Sequence, residues 1–229
     1  MDRGTVPTAA AKSVLEALDL ERAVDLVQQV CRIPSVLGEE GALAAFLAST
    51  MREAGFEGVA LQPVIEDRPN AVGHVSFGDG PTVVLTGHMD TKPVSHGWSV
   101  TEPFSGALID GSVYGHGVMD MKAALACQIV AIEAVRASGL PLGGTLAMAA
   151  VADHMGEQLG SIAYFDTYPA DLCVLGELTE FETFHPLRDA RTVNRVQRCQ
   201  QLLIRLRIWL FREQLILQLL VHRRSEMHE

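Results

Sequence analysis

Three short apolar runs constrain the fold of this chain most: TVVLTG at 82–87, TLAMAAVA at 145–152 and DLCVLG at 171–176. Each has a buried strand's length and apolar composition. Between the first and second lies DMKAALACQIVAIEAVRASG, apolar at helical spacing with Gly139 just past its end. Between the second and third, GEQLGSIAYFDTY also reads as a helix. Strands alternating with helices specify an α/β layer fold. Upstream, Leu20, Val24, Val27 and Cys31 repeat at helical spacing behind Asp19 as a possible N-cap, and EEGALAAFLASTMREAG reads as a second helix ended by Gly55. Strands are expected at about 59–65 and 71–77, followed by a GDGP turn. ALIDGSVYG has the form of a hairpin turning at Asp110-Gly111.

In such a fold, ligands gather outside the carboxyl ends of the strands. His88 and Asp90 follow the first run, Asp153 and His154 the second, and Glu177 the third, while Asp120 opens the long helix. Imidazole and carboxylates arriving from separate strands are what a zinc-type ion requires. Each residue alone has a plainer reading. A single His88 is most often a hydrogen-bonded structural histidine, and Asp120 could serve only as an acid in the first helical turn. Glu177 could be an exposed acid, Lys122 reads as a surface lysine, and His74, His96 and His116 as loop or surface residues.

Composition narrows the class further. With 48% hydrophobic residues in 229, the chain can bury a substantial core. Its net charge of −10 argues against nucleic-acid binding, which needs a basic face. No run of eighteen apolar residues occurs, and MDRGTVPTAAAKS lacks the apolar segment of a signal peptide, so a cytoplasmic protein acting on a small molecule is expected. Cys31, Cys127, Cys173 and Cys199 contain no CxxC pair, consistent with a reducing compartment. The averages conceal a break near residue 180. No glycine follows Gly176 and no lysine follows Lys122, whereas residues 185–229 hold nine arginines. Two segments are therefore expected, 1–180 and a divergent Arg/Leu-rich tail at 181–229, whose apolar residues keep no clear period and should contact the body little.

LTGHMDTKPV, then GWSVTEPFSGALIDGSVYGHGVMDMKAALA, then VLGELTE resemble, in order, the motifs of a known family. It is the zinc metallopeptidase and amidohydrolase family of aminoacylase, acetylornithine deacetylase, succinyl-diaminopimelate desuccinylase and carboxypeptidase G. The resemblance implies a zinc-exopeptidase-like α/β catalytic domain. It makes His88 a metal ligand, Asp90 the residue that orients it, Asp120 a carboxylate bridging two zinc ions and Glu177 the ligand of one. It further implies hydrolysis of amide bonds in N-acyl amino acids or small peptides.

The match covers the N-terminal half of such a catalytic domain, about 21–180, and the family's lid domain has no counterpart, so a truncated chain is expected. Family members usually carry two adjacent glutamates after the second run, a general base and then a metal ligand, where this chain has ADHMGEQ. Without a gap, His154 and Met155 replace both, and His154 could substitute as a ligand; in a shifted register Glu157 is the base and Gln158 replaces the ligand. Glu157 is the expected base. The alternative to an enzyme is a non-catalytic truncated product or pseudoenzyme with residual metal binding.

Overall fold

The computed structural model describes residues 9–177. Helices α1 (Ala9–Glu16), α2 (Leu20–Arg32) and α3 (Gly41–Glu53) precede strands β1 (Glu57–Ile65), β2 (Arg68–Ser76) and β3 (Thr82–His88). The hairpin β4 (Ala107–Ile109) and β5 (Ser112–Tyr114) leads through the wide turn Val118–Lys122 into α4 (Ala123–Ala137). Then come β6 (Thr145–Val151), α5 (Leu159–Thr167) and β7 (Leu172–Leu175). Asp19 caps α2, its carboxylate accepting from the Arg22 amide at 2.9 Å, which satisfies one of the helix's orphan donors.

Five strands form one sheet in the order β1-β2-β6-β3-β7. The β6-β3 and β3-β7 pairs are parallel, and the other two are antiparallel. Alternate residues of the central strands face opposite layers. Val83, Leu85, Leu146, Met148 and Ala150 join the larger core with Leu26, Leu47 and Ile129 from α2, α3 and α4. Val84, Ala147, Ala149 and Val151 face the smaller core with Tyr164 of α5. Because both faces are covered, these strands are apolar throughout and show no polar alternation.

Parallel pairing puts three strand ends on one edge. In register, His88 is opposite Val151, and Thr86 is opposite Leu175. Glu177 therefore continues to the level of His88, and His154 follows three residues after His88's partner. Two glycines bring in the fourth element: a Cβ at Gly87 would fall on the Met121 thioether, and one at Gly176 on the Ala124 methyl. Their absence lets the start of α4 lie directly against β3 and the end of β7.

The fold departs from the expected elements in three places. The long helix begins at Ala123, not Asp120; Asp120 (φ −121°, ψ 86°) and Met121 are non-helical, with a cis peptide between them. Helix α5 starts only at Leu159, because Asp153 and Gln158 both adopt positive φ and fold 153–158 into a turn. Helix α1 was not among the expected elements, although AAAKSVLE is rich in helix formers. Among the described residues, no helix is long and apolar enough to cross a membrane. The tail expected at 181–229 lies outside the described residues.

Candidate metal centre

His88 ends β3 with 2% of its surface exposed. Its Nδ1 lies 2.8 Å from the Asp90 carbonyl oxygen. A carbonyl can only accept, so Nδ1 carries a hydrogen and donates it. Nε2 is thereby aimed at the site. The Asp90 carboxylate, expected to orient the ring, stands 4.0 Å from Nδ1 and has a different employment. It accepts from the backbone amides of His154 at 3.0 Å and Met155 at 2.7 Å. Asp90 thus holds His88 through its main chain and the turn after β6 through its side chain.

Three further side chains meet His88. Asp120 Oδ1 is 3.1 Å from Nε2, and Glu177 Oε1 is 3.5 Å from it. His154 Nε2 lies 3.6 Å from that same Glu177 oxygen, and its ring stacks on His88 at 4.3 Å with 3° between planes. Burial by itself would lower the His88 pKa; the bond to Asp120 and the charges of Glu177 and Asp90 outweigh it and hold the pKa above the ordinary value. The bond to His88 keeps the Asp120 carboxyl below its usual range. Burial and the neighbouring His88 lower the pKa of His154.

The residues fit a divalent cation. Glu177 Oε1 is buried and, among the described residues, has no hydrogen-bond partner, although two imidazole nitrogens lie close to it. Distances of 3.5 and 3.6 Å are too long for N–H···O bonds, which fall at about 2.7–3.2 Å. They suit two ligands of one tetrahedral ion, since metal bonds of about 2.0–2.1 Å place ligands roughly 3.3–3.4 Å apart. His88, His154 and Glu177 form the one such donor group among the described residues. His88, Asp120 and Glu177, expected from sequence as ligands, do come together in space.

The expected base does not join them. Glu157 is exposed, and its carboxylate takes part in none of the cluster's ion pairs. The cause is the Asp153 turn: its Oδ2 accepts from the Glu157 amide at 3.0 Å, while Asp90 draws in the amides of residues 154 and 155. The turn therefore carries His154 inward and Glu157 outward. A buried network anchors it. Arg68 binds both oxygens of Glu40, at 2.8 and 2.7 Å, and Asp153 Oδ1 at 2.9 Å. Although burial pushes the Glu40 carboxyl up, its bonds to Arg68 bring the net pKa below the ordinary value. No sequence pattern marks this network, because its members are separated by 28 to 113 residues.

Lys122, read from sequence as a surface lysine, is wholly buried. Its Nζ donates to the Ile33 carbonyl at 2.6 Å and sits 5.6 Å from the centre of the Phe104 ring. Burial pushes its pKa down to about 8. His116 pairs with the Lys92 carbonyl at 2.7 Å through Nε2, bracing the loop beside Trp98.

Residues 84–184 match peptidase family M20/M25/M40. The chain is 34% identical over 169 residues to succinyl-diaminopimelate desuccinylase of Methylobacterium radiotolerans, covering 69% of this chain and 43% of that protein. Against the desuccinylase of Gluconacetobacter diazotrophicus it is 31% identical over 166 residues, with the same two coverages, 69% and 43%. The chain thus spans less than half the length of these curated relatives. Two solved structures share the fold. Human carnosine dipeptidase 1 superposes with a TM-score of 0.61 at 20% identity, over 76% of this chain and 42% of that one. An M20 family metallo-carboxypeptidase from Sulfolobus solfataricus gives 0.60 at 16% identity, over 67% and 37%.

Proposed function

Because residues 84–184 of this chain carry the sequence of peptidase family M20/M25/M40, we propose that the corner at His88, Asp120 and Glu177 binds metal for amide hydrolysis. The substrates on this reading are N-acyl amino acids or small peptides. The orphaned Glu177 Oε1, facing two imidazole nitrogens, is the observation that supports it most. Imidazole and carboxylate donors at tetrahedral spacing favour zinc. When bound, such an ion polarises a carbonyl and lowers the pKa of a coordinated water toward about 7.

The chain's own residues supply position. The Asp90 carbonyl holds the Nδ1–H of His88, so that Nε2, which faces Asp120 at 3.1 Å, is the nitrogen that would ligate. Asp120, with 43% of its side chain exposed, stands on the open side of the cluster, where a substrate would arrive. A carboxylate base is the weak point. Asp153 is committed to Arg68 and Glu157 is turned outward. Loss of a general base costs roughly 10²- to 10⁴-fold in rate, so hydrolysis is expected to be slow. The same turn favours a second reading, a metal-binding chain without catalysis.

The test is amine release from N-succinyl and N-acetyl amino acids and from dipeptides by the zinc-loaded 229-residue chain. Slow release, lost with a chelator and in His88→Ala, is expected. Release that survives both would refute the assignment. Zinc binding without any release would select the second reading.

A further inference from the structure

The turn after β6 carries His154 and Met155 directly after Asp153, and the structure shows how it is set against the cluster. Asp90 takes the amides of both residues, the Arg68 network holds Asp153, and the His154 ring is delivered against His88. Its Nε2 comes to 3.6 Å from the Glu177 oxygen that, among the described residues, lacks a hydrogen-bond partner. His88 stands 3.5 Å from that oxygen on its other side. Both separations fit edges of a tetrahedron built on bonds of about 2.0–2.1 Å. The remaining edge, between the two imidazole nitrogens, lies within 4.8 Å. Closing it requires the His154 ring, 28% exposed, to turn out of its stack on His88, because a metal lies in the plane of each imidazole that binds it, whereas His88 is pinned by the Asp90 carbonyl.

Resting on the metal reading above, we propose that His154 is itself a ligand and that this corner holds one transition-metal ion, not two. Its protein donors are His88 Nε2, His154 Nε2 and Glu177. Asp120, 3.1 Å from His88 Nε2, is the nearest further oxygen. A second ion would need another carboxylate from the turn, and Met155 offers only a thioether, which serves zinc poorly. Among the described residues, no second group of three donors converges. Two imidazoles and a carboxylate select an ion of zinc or cobalt type over magnesium or calcium, which prefer all-oxygen surroundings.

Cobalt(II) titration of the metal-free full chain, followed by visible absorption, reads stoichiometry and affinity. Zinc K-edge X-ray absorption of the wild-type protein counts imidazole ligands independently. One equivalent and two imidazoles are expected. His154→Ala should weaken binding beyond the roughly 10- to 100-fold that loss of an outer-shell partner costs, with Met155→Leu unchanged. Unaltered affinity in His154→Ala, or a single imidazole in the wild type, overturns the inference and leaves the metal reading standing. Two equivalents overturn the single-ion claim. A wild-type chain that binds no cobalt sinks both readings. Should His154→Ala lose its far-ultraviolet circular dichroism, the imidazole count decides alone.

Discussion

The ends of β3 and β6 leave the sheet side by side, yet they deliver their histidines by different means. His88 is the last residue of its strand, and the carbonyl that holds its Nδ1 lies only two residues on. His154 stands three residues beyond β6, on a turn held by Asp90, Glu40 and Arg68 from three distant parts of the chain. The first arrangement is local and tolerant of change elsewhere. The second depends on a buried ion network, which is costly to break once formed.

Removing His88 should have the largest effect. His88→Ala deletes the imidazole that faces both Asp120 and Glu177, and metal affinity should fall by more than about 100-fold, beyond the range for an outer-shell partner. Isothermal titration with zinc measures it; a loss below tenfold would mean that the β3 end is not the centre of the site.

Arg68→Met should come next, in stability. It leaves Glu40, which has no exposed side-chain surface, without its counter-charge, and the cost is expected at about 3–5 kcal/mol by urea unfolding. A cost below about 1 kcal/mol would remove the contrast between the two strand ends. The same network sets an acid dependence. Glu40 has a lower pKa folded than unfolded, so its contribution is present above the unfolded carboxyl value. It is lost as pH falls through the folded value. Unfolding free energy should therefore decline more steeply on acidification in the wild type than in the double variant Glu40→Gln, Arg68→Met. Equal slopes would show that the network does not titrate with folding.

Asp90→Asn separates the two employments of that residue. The carbonyl that holds His88 remains, while the carboxylate that accepts two turn amides is replaced by a weaker acceptor. A loss of about 1–3 kcal/mol is expected, from weakened charge-assisted bonds, together with less than a tenfold change in zinc affinity. A larger fall in affinity than in stability would return the orienting role to the carboxylate. Glu157→Gln should be the smallest change, within about 0.5 kcal/mol in stability and without effect on metal affinity, as befits an exposed side chain.

These contrasts also explain how far the sequence could be read. The β3, β6 and β7 strands were visible because each is a continuous apolar run, and α2 because Asp19 stands at the start of its periodic face. His88, Asp120 and Glu177 could be picked out because strand ends and motif order mark them. Three things had no local signal. Asp120 sits in a non-helical turn where helical composition already begins, and Lys122 is buried because Phe104 and Ile33 close around it. The choice between His154 and Glu157 depended on side-chain direction in a turn, which the distant Arg68 and Glu40 help to set. Contacts across such separations leave no spacing to detect.

On the metal reading, three strand ends and the turn before α4 make one site. Anomalous diffraction at the zinc edge, from crystals of the full chain grown with zinc, tests it most directly. One strong peak is expected within about 2.0–2.3 Å of His88 Nε2 and of a Glu177 carboxylate oxygen. A zinc-loaded crystal with no peak at this corner, or with its strongest peak bonded to neither residue, would contradict it.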